Sequence, residues 1–201
     1  MEIVHFPHPT LRHSSRPLKK VDRELKNMIA EMFELMYEAR GIGLAANQVD
    51  LPFQVFVVNL AAEPGEGEEL VFINPVISRP KGSEEAEEGC LSLPGVYGQV
   101  MRPKQVRVQA YNLQGESIDM EVDGMMARVI QHENDHLQGT LFTDRLSEGG
   151  RIDVAPALEE FKLNFESKRR TGGIPSDEEI HARLKRLEEE YCVAAPTSKK
   201  V

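Results

Sequence analysis

The chain has 201 residues, 40% of them hydrophobic, with 33 acidic against 24 basic side chains and a formal net charge of −9. That length supports one ordinary domain with a full core, and the acidity argues against DNA as a partner through bulk electrostatics. No segment approaches the ~20 apolar residues of a membrane span, the start Met1-Glu2-Ile3-Val4-His5-Phe6-Pro7 is not built as a secretory signal, and Cys90 and Cys192 are too few for a disulfide framework. The expectation is a soluble cytoplasmic protein with neither DNA nor a membrane as partner.

Residues 22–40 carry the clearest helix signal. Leu25, Met28, Ile29, Met32, Phe33 and Met36 fall at offsets 0, 3, 4, 7, 8 and 11, one continuous apolar stripe. Asp22 is the expected N-cap and Gly41 the expected stop. A glycine-punctuated loop follows over 41–48. Runs of β-branched and aromatic residues predict strands over 53–59 and 70–73, the second closed by Asn74-Pro75. Between them, residues 64–69 hold two glycines and three glutamates and read as a solvated loop. Val106, Val108 and Ala110 alternate with polar residues, as do Ile118, Met120 and Val122. With Asn112-Leu113-Gln114-Gly115 as the turn, they predict an antiparallel hairpin with one buried face.

Asp123 is then the expected cap of a second helix over 124–138, stopped by Gly139 and turning Met126, Val129 and Ile130 inward. Strands first and one central helix later indicate an α+β fold: antiparallel sheets packed around that helix, an N-terminal helix, and a C-terminal helical extension. Residues 168–175 read as a linker. Beyond them Ser176 and Glu179 form a capping-box pattern, and Ile180, Leu184, Leu187 and Tyr191 mark a narrow stripe at offsets 0, 4, 7 and 11. Residues 194–201 read as frayed.

The second helix carries His132-Glu133-Asn134-Asp135-His136. Two histidines four residues apart share one helix face, so their imidazoles converge on a single metal ion. Glu133 sits where it handles the proton of an activated water without being a ligand. A third ligand is needed. The extension x-x-Gly-x-x-His is closed, because Gly139 matches but Phe142 cannot ligate. Glu159 or Glu160 from a later helix would make a zinc endopeptidase. Cys90, in Glu88-Gly89-Cys90-Leu91-Ser92-Leu93-Pro94-Gly95, would make a thiolate-imidazole site with a fourth position open for water. A cysteine taken at random is more often a small buried hydrophobe. Gly89 and Pro94-Gly95 around this one suit a strand edge beside a site.

Three segments, Gly41-Ile42-Gly43-Leu44-Ala45-Ala46-Asn47-Gln48, Glu88-Gly89-Cys90-Leu91-Ser92 and Gln131-His132-Glu133-Asn134-Asp135-His136-Leu137-Gln138-Gly139, resemble the three signature motifs of bacterial peptide deformylase, in the same order. The similarity runs from Pro7-His8-Pro9-Thr10-Leu11-Arg12 to about Phe165. It implies hydrolysis of the N-formyl group from nascent peptides that begin with formylmethionine, releasing formate. By the resemblance Cys90, His132 and His136 hold one metal ion per chain, iron(II) for preference, with Zn(2+), Ni(2+) or Co(2+) as substitutes. Glu133 is the general acid and base, and the Gln48 amide and Leu91 backbone N–H are the oxyanion donors.

The peptide is expected to add as a strand beside Ile42–Gly43 and Gly89–Cys90. Its methionine side chain would lie among Ile42, Glu88, Met125, Val129 and His132. Arg128, one turn before His132, is expected to wall that pocket with its stem while its head reaches solvent. Tyr97 stands where many relatives carry arginine, at the outer subsites. The expected organisation is a catalytic domain over 1–165 and an extension over 166–201. The extension has two readings: docking to the ribosome near the exit tunnel through Lys162, Lys168, Arg169 and Arg170, or a linker and a helix packed on the core. Two competing functions fit the same residues, the zinc endopeptidase and a catalytically silent peptide-binding relative.

Overall fold

The computed structural model describes residues 1–194 and contains, among them, four α-helices and seven strands. Most of the end expected to fray, from residue 195 on, lies outside the described residues. Helix α1 (Arg23–Glu38) follows its predicted stripe, burying Leu25, Ile29, Met32, Phe33 and Met36, and the Asp22 side chain accepts the Leu25 N–H at 2.9 Å. The stop differs from expectation. Arg40, not Gly41, takes the left-handed conformation (φ 55), and its N–H donates to Tyr37 O at 2.9 Å while Gly41 N–H donates to Met36 O at 2.8 Å.

The expected loop over 41–48 is ordered. Strand β1 (Gly43–Ala45) pairs antiparallel with β2 (Val55–Val58), and Ala46–Val49 forms a 3-10 turn. Three residues are too short a strand to show a period of two, which is why the pattern concealed it. Strand β3 (Leu70–Lys81) passes straight through Asn74-Pro75. Those two residues make a bulge, with Asn74 at φ 53 and a register shift between Ile73 and Val76. A bulge tolerates a proline that cannot donate. The Asn74 side chain turns away to accept from Leu18 N–H at 2.8 Å and donate to Leu18 O at 2.9 Å.

Strands β4 (Glu84–Cys90) and β5 (Leu93–Arg102) form a separate two-stranded sheet, of which the sequence pattern indicates only a strand edge at Cys90. Glu84, Glu85, Glu87 and Glu88 give β4 no apolar face to read. The predicted hairpin is present as β6 (Gln105–Tyr111) and β7 (Ser117–Asp123), which closes a five-stranded sheet in the order β1-β2-β3-β6-β7. Helix α2 (Gly124–Leu137) lies against this sheet, where Val129 and Ile130 join a core with Phe56, Val58, Phe72, Val106 and Val108. The α+β architecture around a central helix is therefore as expected.

The apolar pattern gives no bounds for helix α3 (Glu148–Arg170), the later helix that carries Glu159 and Glu160, because Gly149, Gly150 and Pro156 interrupt its first half and only Val154 is buried. This helix includes Lys168 to Arg170, so the link to α4 (Asp177–Tyr191) shrinks to residues 171–175. Ser176 and Glu179 complete the capping box, with N–H to side-chain distances of 2.9 and 3.2 Å. Ile180, Leu184 and Tyr191 are buried, each contributing roughly 1.5–3 kcal/mol of apolar burial. The Tyr191 ring lies 5.3 Å from that of Phe53, so α4 joins the core of the main body. No helix among the described residues is long and apolar enough to cross a membrane.

Candidate metal centre and active site

Helix α2 brings the two predicted imidazoles together, with His132 Nε2 and His136 Nε2 3.2 Å apart. Cys90 ends β4 at a register shift between Gly89 and Cys90, the kind of irregularity that re-aims a side chain. Its Sγ lies 3.2 Å from His136 Nε2. The three donor atoms fall within 4.8 Å of one another. Tetrahedral bonds to sulfur and nitrogen separate donors by roughly 3.3–3.8 Å, so the spacing suits one ion. Glu159 and Glu160, the alternative third ligands, are exposed on α3, and Glu159 pairs with Lys162 at 3.1 Å.

A charged layer holds the rings. The buried Glu88 carboxylate accepts from Arg102 Nε at 2.6 Å and Nη2 at 2.9 Å, from Arg128 Nη1 at 2.7 Å, and from His132 Nδ1 at 2.9 Å. Its bond to Nδ1 fixes the tautomer and leaves Nε2 of His132 free to ligate. Arg102 also donates to Asp135 at 2.8 Å, and Arg145 pairs with the same carboxylate. Burial alone raises a carboxyl pKa; here the bonds from His132 and Arg102 overcome it and hold Glu88 well below the usual carboxylate range. Burial likewise opposes charging His132, but the Cys90 sulfur and Glu88 lift its pKa to about 10. Surroundings that stabilise a positive imidazole this strongly also suit a bound cation.

Glu133 is 4% exposed, its Oε2 has no hydrogen-bond partner, and burial pushes its pKa up to about 7. It reaches the cleft because residue 43 is glycine: a Cβ there would lie 2.6 Å from Glu133 Oε1 and 2.8 Å from Val129 Cγ1. Across the cleft, Gln48 Oε1 accepts the Ala45 N–H at 2.9 Å. That bond turns Nε2 toward the metal donors, 3.4 Å from Cys90 Sγ and 3.2 Å from Ser92 Oγ. Asn47, with no role expected from its pattern, donates through Nδ2 to the His136 carbonyl and ties this turn to α2.

A cleft of about 830 Å³ is lined by Ile42, Gly43, Gln48, Glu88, Gly89, Cys90, Leu91, Tyr97, Met125, Arg128, Val129, His132 and Glu133. Of the site residues expected from sequence only His136 is absent from that lining; it lies beneath, 1% exposed. Tyr97 and Met125 stand at the mouth, 61% and 57% exposed. One expectation is corrected. The Arg128 head does not reach solvent: besides Glu88 it donates to Val100 O at 3.0 Å and Glu84 O at 2.9 Å. Desolvated beside an anion, a guanidinium is held more strongly there than an exposed position would hold it. Arg102, Asp135 and Ser92 escaped sequence reasoning. The one available signal was a charged residue at an inward register position of a strand, and that strand was itself unrecognised.

A mixed thiolate-imidazole donor set beside an unpaired buried carboxyl, in a cleft between the free edges of β1 and β4, defines a metal-dependent hydrolase. Comparison with known proteins narrows the class. The sequence profile described as Polypeptide deformylase matches residues 1–151. A peptide deformylase of Rhodopirellula baltica is 56% identical over 177 residues, 88% of each chain. The chloroplastic/mitochondrial peptide deformylase 1B of Arabidopsis thaliana is 41% identical over 189 residues, 92% of this chain and 67% of that one. Among solved structures, a Plasmodium falciparum peptide deformylase superposes with a TM-score of 0.80 at 38% identity, covering 83% of this chain and 98% of that one. The Arabidopsis enzyme in complex with an inhibitor superposes with a TM-score of 0.79 at 41% identity, covering 88% and 97%. This chain belongs to the polypeptide deformylase family.

Proposed function

We propose that this chain is the metal-dependent hydrolase that removes the N-formyl group from formylmethionine at the start of newly made proteins, releasing formate. The observation that carries the reading is the convergence of Cys90, His132, His136, Glu133 and the Gln48 amide on one cleft in a chain of this family. Neither an endopeptidase nor a silent binding protein accounts for that set as well: Glu159 and Glu160 are spent on an exposed helix face, and every group the chemistry needs is present.

Cys90, His132 and His136 would hold the ion; this donor set accepts iron(II), zinc, nickel or cobalt, and the preference for iron(II) rests on the family resemblance. When bound, the ion supplies a Lewis acid and lowers the pKa of water toward neutrality. Glu133 takes the proton of the attacking water and delivers it to the leaving amine, a role suited to a buried carboxyl whose Oε2 has no other hydrogen-bond partner. Gln48 Nε2 and the Leu91 N–H donate to the formyl oxygen as negative charge develops on it. The peptide adds as a strand between Ile42–Gly43 and Gly89, which reads main chain and tolerates many sequences. Its methionine side chain packs among Ile42, Met125, Val129 and the stems of Glu88 and Arg128, and Tyr97 meets residues further along.

The catalytic unit is assigned to residues 1–165, the extension to 166–201, and the reaction to the cytoplasm, where ribosomes supply the substrate. Ribosome docking through Lys162, Lys168, Arg169 and Arg170 is the weaker reading of the extension, since Arg169 already stacks on Phe165 and pairs with Asp177. Co-sedimentation of Lys162→Glu/Lys168→Glu with ribosomes decides it: loss of binding supports docking and unchanged binding rejects it. The main reading is tested by formate release from formyl-Met-Ala-Ser by anaerobically purified, iron-loaded protein. Release by the wild type, and release slower by about 10²–10⁴ from Glu133→Ala, is expected. No release from metal-loaded wild type rejects it.

A further inference from the structure

We infer that Arg183, on the last helix, is a positioning residue for the oxyanion side of the cleft, acting through Asp50 on the turn that presents Gln48. The inference rests on the proposed donor role of Gln48. The family match ends at residue 151, so nothing in it assigns a task to α4.

Asp50 ends the Ala46–Val49 turn in the left-handed conformation (φ 66). A residue with a Cβ holds that conformation when its surroundings fix it. Two side chains do so here: the buried Thr10 hydroxyl donates to Asp50 Oδ1, and the Arg183 guanidinium pairs with Oδ2. The consequences are local. Asp50 N–H donates to Asn47 O at 3.3 Å and Leu51 N–H to Ala46 O at 3.0 Å, so the conformation at residue 50 decides whether the turn closes. That turn carries both Gln48 Nε2, aimed at Cys90 and Ser92, and Asn47, bonded to the His136 carbonyl.

Arg183 is a firm anchor because α4 is. Ile180 and Leu184 beside it are buried, Lys19 N–H donates to Tyr191 O at 3.0 Å, and Val193 N–H donates to Pro17 O at 2.8 Å. A separate clamp on the same helix, His13 to Glu188 at 2.7 Å, does not touch Asp50. The helix therefore offers two fixings, one of which reaches the active site and one of which does not.

The test is a double-mutant cycle on kcat and KM for formyl-Met-Ala-Ser, at matched metal content, with Arg183→Ala, Asp50→Gly and the pair. Glycine adopts the left-handed conformation without side-chain support. Arg183→Ala is expected to lower kcat about 5- to 30-fold with KM within about two-fold, and Arg183→Lys to restore most of it. In the Asp50→Gly background the same change is expected to cost nothing. Glu188→Ala, a control for loosening α4, is expected to lower the melting temperature and leave kcat unchanged. An unaltered kcat in Arg183→Ala, an equal loss in the glycine background, or an equal loss in Glu188→Ala overturns the inference. Gln48→Ala run alongside separates the two readings. If it is fully active, the donor assignment fails; if it is impaired while Arg183→Ala is not, only the role of Arg183 fails.

Discussion

The two walls of the cleft are held by different physics. On the metal wall, α2 and β4 are locked by buried charge, with Glu88 and Asp135 shared among Arg102, Arg128, Arg145 and His132. On the oxyanion wall, β1 and the turn after it are locked by backbone and carboxamide hydrogen bonds, with one ion pair at its outer end, Arg183 to Asp50. The difference follows from the tasks. Imidazoles that ligate a cation must be oriented by an anion at their far nitrogen, which then has to be neutralised by arginines to be buried at all. A donor to a developing oxyanion works best as a neutral, pre-aimed N–H in a dry site.

Four changes probe the two walls, in falling order of expected effect. Glu133→Ala removes the proton carrier between the walls and is expected to lower kcat by about 10²–10⁴ while the metal stays bound, measured by steady-state kinetics with metal analysis. Gln48→Ala is expected to lower kcat by about 10²–10³, again with the metal retained. Glu88→Gln keeps the shape and removes the anion behind His132. It is expected to weaken metal binding about 10- to 100-fold in a chelator competition, with a smaller loss in kcat per bound ion.

The fourth change is acid. Burial, with Arg183 and Arg169 nearby, lowers the His8 pKa from 6.5 to about 4, and His8 Nδ1 accepts the Thr10 N–H at 3.4 Å. A histidine favoured as neutral in the folded state contributes stability that is complete above pH 6.5 and is lost as pH falls from there toward about 4. Glu88 has the opposite charge logic. Its stability is complete above the ordinary carboxyl value of 4.5 and is lost only as pH falls further, through its depressed folded value. Chemical denaturation at a series of pH values is expected to show the slope between pH 6.5 and 4, and His8→Gln is expected to reduce it, with His5, also lowered by burial, contributing the same sign. A slope unchanged in His8→Gln places the acid sensitivity elsewhere.

The two walls also differed in how much of them the sequence revealed. The metal donors lie in a short helical pattern with its own chemistry, so His132, His136 and Glu133 were readable from spacing alone. Cys90 was a candidate from its glycine- and proline-flanked position but needed family resemblance to be chosen over a core cysteine, and Gln48 needed that resemblance outright. The network around Glu88 was invisible, since Arg102 sits in a strand whose partner, β4, is too acidic to show an inward face. Helices followed the same logic. The α1 stripe is unbroken and was placed to within a residue or two, whereas α3 contains two glycines and a proline and buries one residue fully. Arg128 was placed on the correct helix turn, but its partners come from strands far along the chain, so its burial was not legible.

The metal wall and the oxyanion wall divide the labour, and metal affinity and kcat per bound ion, measured side by side for Glu88→Gln and Gln48→Ala, separate their tasks. Glu88→Gln is expected to lose affinity and keep most of its turnover per ion, while Gln48→Ala is expected to keep its affinity and lose turnover. Both variants failing in the same parameter would contradict this division.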